Sequence, residues 1–98
     1  MNRMIGKFLV FFVLFSFVFS GCHYFSANNE IASAEKLFSD LRWKEGEKLV
    51  PYEYCSAEKF LEISNKEFKS NDFKTSERFA KRSISASKAG LAEIQKKK

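Results

Sequence analysis

The stretch PYEYCSAEKFLEISNKEFKSNDFKTSERFA, residues 51–80, decides the fold. Pro51 has no amide hydrogen and a fixed φ close to the helical value, so it opens a helix at the first position. Glu53 in the first turn suits the positive end of the helix dipole. Tyr54, Ala57, Leu61, Ser64 and Phe68 then recur every three or four residues, the spacing of one helical face. Phe60 lies beside that stripe, and Cys55 is one residue round from Tyr54. Asn71 and Asp72 interrupt the pattern, and both accept turn geometry. Phe73 restarts it. Ser76, Ala80, Ser83, Ser87 and Gly90 follow at the same spacing, with Ile84, Leu91 and Ile94 along the neighbouring edge. Small residues on that face allow two helix axes to approach closely. Helices over 51–69 and 73–95 are therefore expected to pair antiparallel across a tight turn.

Upstream, Ile31, Ala34, Phe38 and Leu41 again recur at intervals of three and four, with Leu37 widening the stripe. Asn28 or Asn29 is the expected cap, and Glu30 falls in the first turn. Gly46 is the expected stop, because glycine takes the left-handed conformation that follows a last helical turn. No strand-like alternation occurs. The expected fold class is all-α: a signal peptide over residues 1–21, a short tether over 22–29, and a small three-helix unit over 30–95 with an antiparallel helical hairpin. Residues 96–98 form a basic tail.

The amino terminus carries the address. Arg3 and Lys7 precede a run from Phe8 to Phe19 that is apolar except at Ser16. As a helix those twelve residues rise about 18 Å, short of the roughly 30 Å hydrocarbon core. A basic head, a short apolar middle and a small-residue exit have the layout of a secretory signal peptide. Phe19-Ser20-Gly21-Cys22 resembles the bacterial lipobox, with phenylalanine in place of the usual leucine. That resemblance implies cleavage between Gly21 and Cys22, a diacylglycerol on the Cys22 sulfur, and fatty acyl groups such as palmitate as the anchor. Each buried methylene contributes about 0.8 kcal/mol, so two or three chains hold where one does not. The alternative is an uncleaved single-pass anchor that spans from Met4 to Gly21 with some thinning of the bilayer, in a small membrane-associated or self-associating protein.

Removing Arg3 and Lys7 from seventeen Lys and Arg leaves fifteen against twelve acids, and Lys96, Lys97 and Lys98 are the whole excess. The folded part is charge-balanced, without the basic stripe of a nucleic-acid binder. The terminal lysines suit either anionic headgroups or a solvated helix end. With Cys22 acylated, Cys55 has no partner within the chain; burial as a small apolar residue is favoured over pairing between molecules. His23 is the lone histidine and has no second ligand at metal spacing, so no metal and no cofactor are expected.

The segment from Gly46 to Ile94 resembles small envelope lipoproteins that carry domain of unknown function 4398. Pro51-Tyr52-Glu53-Tyr54, Ala57, Phe60-Leu61, Asn71-Asp72-Phe73 and Ala80 carry the likeness. Ser64, Ser76, Ser83 and Ser87 stand where that family mostly has alanine, as does Val50. A weaker likeness is to one tetratricopeptide-type hairpin, without the second copy that such arrays need. The lipoprotein resemblance implies a lipid-anchored helical module in a Gram-negative envelope. His23 following the anchor, rather than aspartate, implies the outer membrane, facing the periplasm.

Three function classes remain. An enzyme would need a nucleophile with a base, a pair of carboxylates or a metal in a pocket; no such set exists, and no small-molecule substrate is expected. A membrane-active helix fits the basic face Lys74, Arg78, Lys81, Arg82 and Lys88, but its other face lacks the large apolar residues that bind interfaces. An interaction or structural module fits best. Trp43, Tyr52, Phe60, Phe68 and Phe79 are more large rings than a thin core hides. They are the candidate contacts for an envelope protein partner or for self-association, with half-buried stabilising rings as the alternative.

Overall fold

The computed structural model describes the backbone of residues 2–97 and the side chains from His23 onward. The lipid attachment and cleavage expected at Cys22 and Gly21 therefore lie outside the described side chains. The elements are α1 (Asn2–Trp43), α2 (Gly46–Leu49), α3 (Pro51–Lys69) and α4 (Phe73–Lys96). Among the described residues there is no strand, as expected. α3 has the predicted limits, and α4 runs one residue further than predicted.

The start of α1 differs from expectation. The helix passes through Asn28 and Asn29, neither of which caps it, and takes in residues 23–29, read from the sequence as tether. Burial explains this. Ala27 is fully buried and extends the Ile31, Ala34, Phe38, Leu41 stripe by one more turn. No Pro or Gly interrupts residues 23–43, and packing of an apolar face outweighs the weak preference of asparagine for a cap.

The end of α1 also differs. Glu45, not Gly46, takes the left-handed conformation (φ 61°, ψ 38°), and no glycine has positive φ. Gly46 is required for space instead. A β-carbon there would lie 2.6 Å from Leu41 Cγ and 2.7 Å from the Leu41 carbonyl oxygen. Gly46 then opens the single turn α2, whose last amide bonds lead into buried Val50 and Pro51.

The α3–α4 hairpin is set by small residues at seven-residue spacing. Ser64 Oγ donates to the Ser76 carbonyl (2.6 Å), and Ser76 Oγ donates back to the Ser64 carbonyl (2.8 Å). Two turns further from the bend, Ser83 Oγ donates to the Ala57 carbonyl (2.8 Å). Val50 meets Gly90 at the third rung, with Val50 Cγ2 3.3 Å from where a Gly90 β-carbon would stand. Both members of each pair are equally far from Ser70, so the helices are antiparallel and in one register. Asn71 (φ 65°) makes the bend, and Asp72 caps α4 by accepting from the Thr75 amide (3.2 Å).

α1 lies across this hairpin. Phe38 meets Tyr54 and Tyr24 meets Phe68, with ring centroids 4.9 and 5.3 Å apart, so α1 runs antiparallel to α3. One core cluster joins Phe38, Leu41, Val50, Tyr54, Ala57 and Ile94; the other joins Ile31, Ala34 and Ala80, with half-buried Leu61 against both. Cys55 is exposed, contrary to the expected burial. One residue past Tyr54 turns about 100° around the helix, which carries the thiol off the buried face.

Candidate functional site

On the side of the hairpin that α1 leaves open, α3 and α4 flank a shallow groove of about 570 Å³. Tyr52, Ser56 and Phe60 form one wall, each four residues from the next and so on one face of α3. Arg78, Lys81 and Arg82 form the other wall on α4, and Ser85 and Ala86 extend it. Among the described residues, α1 contributes nothing to this lining, and neither does any carboxylate.

The cations differ in how they are held. Arg82 lies over Phe79 at 5.0 Å from the ring centroid and 6.0 Å from that of Phe60. A cation over a ring at this distance is favourable and uses none of the guanidinium N–H donors. Lys81 Nζ stands 3.1 Å from Glu77 Oε1. Among the described residues, neither Arg78 nor Arg82 has a carboxylate within ion-pair distance. Tyr52 is 79% exposed. A planar guanidinium with free donors beside aromatic rings can bind a carboxylate through two N–H bonds while the rings take an apolar neighbour.

Glu77 ties this wall to α1. A hydrogen bond from Ser26 is the main cause that holds its carboxyl below the usual range; Lys81 and the charge of His23 add to it, while partial burial opposes. His23 Nδ1 lies 3.9 Å from Glu77 Oε2.

A second aromatic group closes the end of the bundle at the α3–α4 bend. Tyr24, Phe68 and Phe73 stack within 5.3 Å of one another, and Phe25, 67% exposed, meets Tyr24 edge-on at 5.7 Å. The five rings singled out from the sequence thus do not form one patch. Tyr52 and Phe60 share the groove, Phe79 supports it beneath Arg82, and Phe68 belongs to the end cluster. Trp43, 89% exposed at the end of α1, lines neither. From the sequence, Arg78, Lys81 and Arg82 belong to the basic face weighed for a membrane-active helix and are not joined to the rings. Their signal was the four-residue step from Arg78 to Arg82, matched by the four-residue steps from Tyr52 to Phe60 on the helix expected beside it.

Among the described residues, no helix is long and apolar enough to cross a membrane, and no group of three His, Cys, Asp or Glu is placed to hold a metal. No family model, curated protein or solved structure matches the chain.

Proposed function

We propose that this chain is a lipid-anchored cell-envelope protein, held at the outer membrane by acyl chains on Cys22, that presents a helical interaction module to the periplasm. The likeness to helical-hairpin envelope lipoproteins is part of the same proposal. The observation that carries it is the position of Tyr24. Two residues past the acylated cysteine, Tyr24 is already packed against Phe68 and Phe73. On this reading an anchor at Cys22 would lead directly into the bundle at the bend and hold the aromatic end at the bilayer surface, where a tyrosine such as Tyr24 suits the headgroup region. The groove starts eight residues from Ser70 at Arg78 and ends eighteen away at Tyr52. At 1.5 Å per residue that is about 12–27 Å from the bend, beyond the headgroups and within reach of a protein partner.

Mass analysis of the mature amino terminus tests the anchor. A chain that begins at Cys22 and carries diacylglycerol, and that is left as the longer precursor by Cys22→Ser, is the expected result. A chain that begins at Met1 without acylation assigns the single-pass alternative.

A further inference from the structure

We propose that the groove between Tyr52–Phe60 of α3 and Arg78–Arg82 of α4 is a docking site for a short acidic peptide segment of a second envelope protein, one that alternates carboxylates with an apolar side chain. This rests on the reading of the bundle as an interaction module and names the chemistry of its partner.

Charge complementarity selects the occupant. Three cations line one wall and no carboxylate lines either. Arg78 and Arg82 are exposed, and among the described residues neither is neutralised by an ion pair. Arg82 sits over the Phe79 ring and at the edge of reach of Phe60, a cation–π contact that uses none of its N–H donors and leaves the guanidinium fork for a carboxylate. Facing them, Tyr52 and Phe60 offer an apolar wall eight residues long, about 12 Å of helix. That length takes three or four residues of extended peptide at roughly 3.3 Å each, enough for two carboxylates and the apolar side chain between them. A free inorganic anion would leave the rings unused.

Two other occupants fit less well. An anionic lipid headgroup would have to stand well away from the bend that the anchor holds at the bilayer. A second copy fits less well: its carboxylates one residue apart, Glu45 and Glu47, flank buried Gly46, which offers no apolar side chain, and they lie between Lys44 and Lys48.

The test uses the full-length chain in detergent micelles and a fluorescent peptide of Glu-Glu-Phe repeats, followed by anisotropy, with a Gln-Gln-Phe peptide as the uncharged control. The acidic peptide should bind saturably. Joint replacement Arg78→Gln and Arg82→Gln should weaken it by roughly tenfold or more, and Arg82→Lys, which keeps charge but loses the fork, by about threefold. Tyr52→Ser should weaken it from the opposite wall, while Lys36→Gln and Lys96→Gln, away from the groove, should not. Both arginines are exposed, so helical circular dichroism should be unchanged in every variant. Equal binding of the Gln-Gln-Phe peptide, or acidic binding indifferent to both arginines, overturns the proposal. So does competition by phosphatidylglycerol vesicles with the same arginine dependence, which assigns a lipid site. A dimer of the free chain that the double replacement dissociates also overturns it, in favour of a second copy. Peptide binding does not depend on acylation, so its failure and the failure of the anchor are separately visible.

Discussion

Leu41 occupies the space that a β-carbon on Gly46 would need, its Cγ 2.6 Å from that position. The same side chain lies 3.0 Å from where a β-carbon on Gly90 would stand. One fully buried leucine is thus wedged between the turn that ends α1 and the far end of α4, and both neighbours are glycine because of it.

The two glycines should respond differently to alanine. At Gly46 the obstacles include the backbone carbonyl of Leu41, which cannot step aside, so Gly46→Ala is expected to cost about 2–3 kcal/mol by overpacking. At Gly90 the contacts are side-chain atoms at 3.0–3.3 Å, and the gain of about 1 kcal/mol in helix propensity offsets much of the strain. Gly90→Ala should therefore lie within about 1 kcal/mol of the parent. Urea unfolding of both variants, and of Leu41→Ala with Gly46→Ala, checks the mechanism. The double change should cost less than its parts combined, since the side-chain part of the clash is gone, but not fall to the cost of Leu41→Ala alone, since the Leu41 carbonyl remains at 2.7 Å.

Glu45 holds a left-handed conformation without being glycine, which costs an ordinary residue about 1–2 kcal/mol. Glu45→Gly is expected to raise the unfolding midpoint by relieving that strain, minus the entropy glycine adds to the unfolded chain. A net gain of about 0.5 kcal/mol is expected. A lower midpoint would mean that the glutamate side chain contributes more than its backbone costs.

The serines of α4 make an internal contrast. Ser83 Oγ donates to the Ala57 carbonyl, whereas Ser87 Oγ is buried without a partner among the described residues. Ser83→Ala should lose about 1 kcal/mol, the net worth of one buried hydrogen bond, while the Ala57 carbonyl keeps its own helical bond. Ser87→Ala should be neutral or stabilising by a similar amount, since it removes a buried polar atom that nothing satisfies. Chemical denaturation of the two single variants suffices, and the same sign for both would show that hydrogen bonding is not what separates them.

The helical faces were legible because burial in a helix repeats at three and four. Ile31, Ala34, Phe38 and Leu41, then Tyr54, Ala57 and Ser64, then Ser76, Ala80, Ser83, Ser87 and Gly90 are all buried. Proline and the Asn71-Asp72 pair marked the limits of α3 and the start of α4 through backbone constraints that act locally. The beginning of α1 was not legible. Asparagine caps a helix only when nothing beyond it is worth packing, and the value of burying Ala27 and of seating Tyr24 on Phe68 and Phe73 depends on α3 and α4. Gly46 was misread for the same reason: a glycine kept for close approach looks in sequence like a glycine kept for its φ. The groove was half legible. Its rings were picked out by size and its arginines by charge, and Phe79 and Arg82 meet as i, i+3 neighbours on one helix, but only the register of the hairpin brings Phe60 to Arg82.

Glu77 links stability to pH. Its folded carboxyl is held below the usual range, chiefly by Ser26 and then by Lys81 and His23. A depressed carboxyl contributes stability above its unfolded value of about 4.5, and that contribution is lost as pH falls through the folded value. The urea midpoint should therefore drop on acidification below about pH 4.5, and it should drop less in Glu77→Gln, whose amide does not titrate. Ser26→Ala should shrink the same effect without touching the charge. At neutral pH, Glu77→Gln also frees Lys81 for the groove. A pair with Lys81 exposed and Glu77 half-buried is worth about 1 kcal/mol or less, so the acidic peptide should bind more tightly to this variant by up to about fivefold. Weaker binding would mean that Glu77 positions Lys81 for the ligand instead of competing with it.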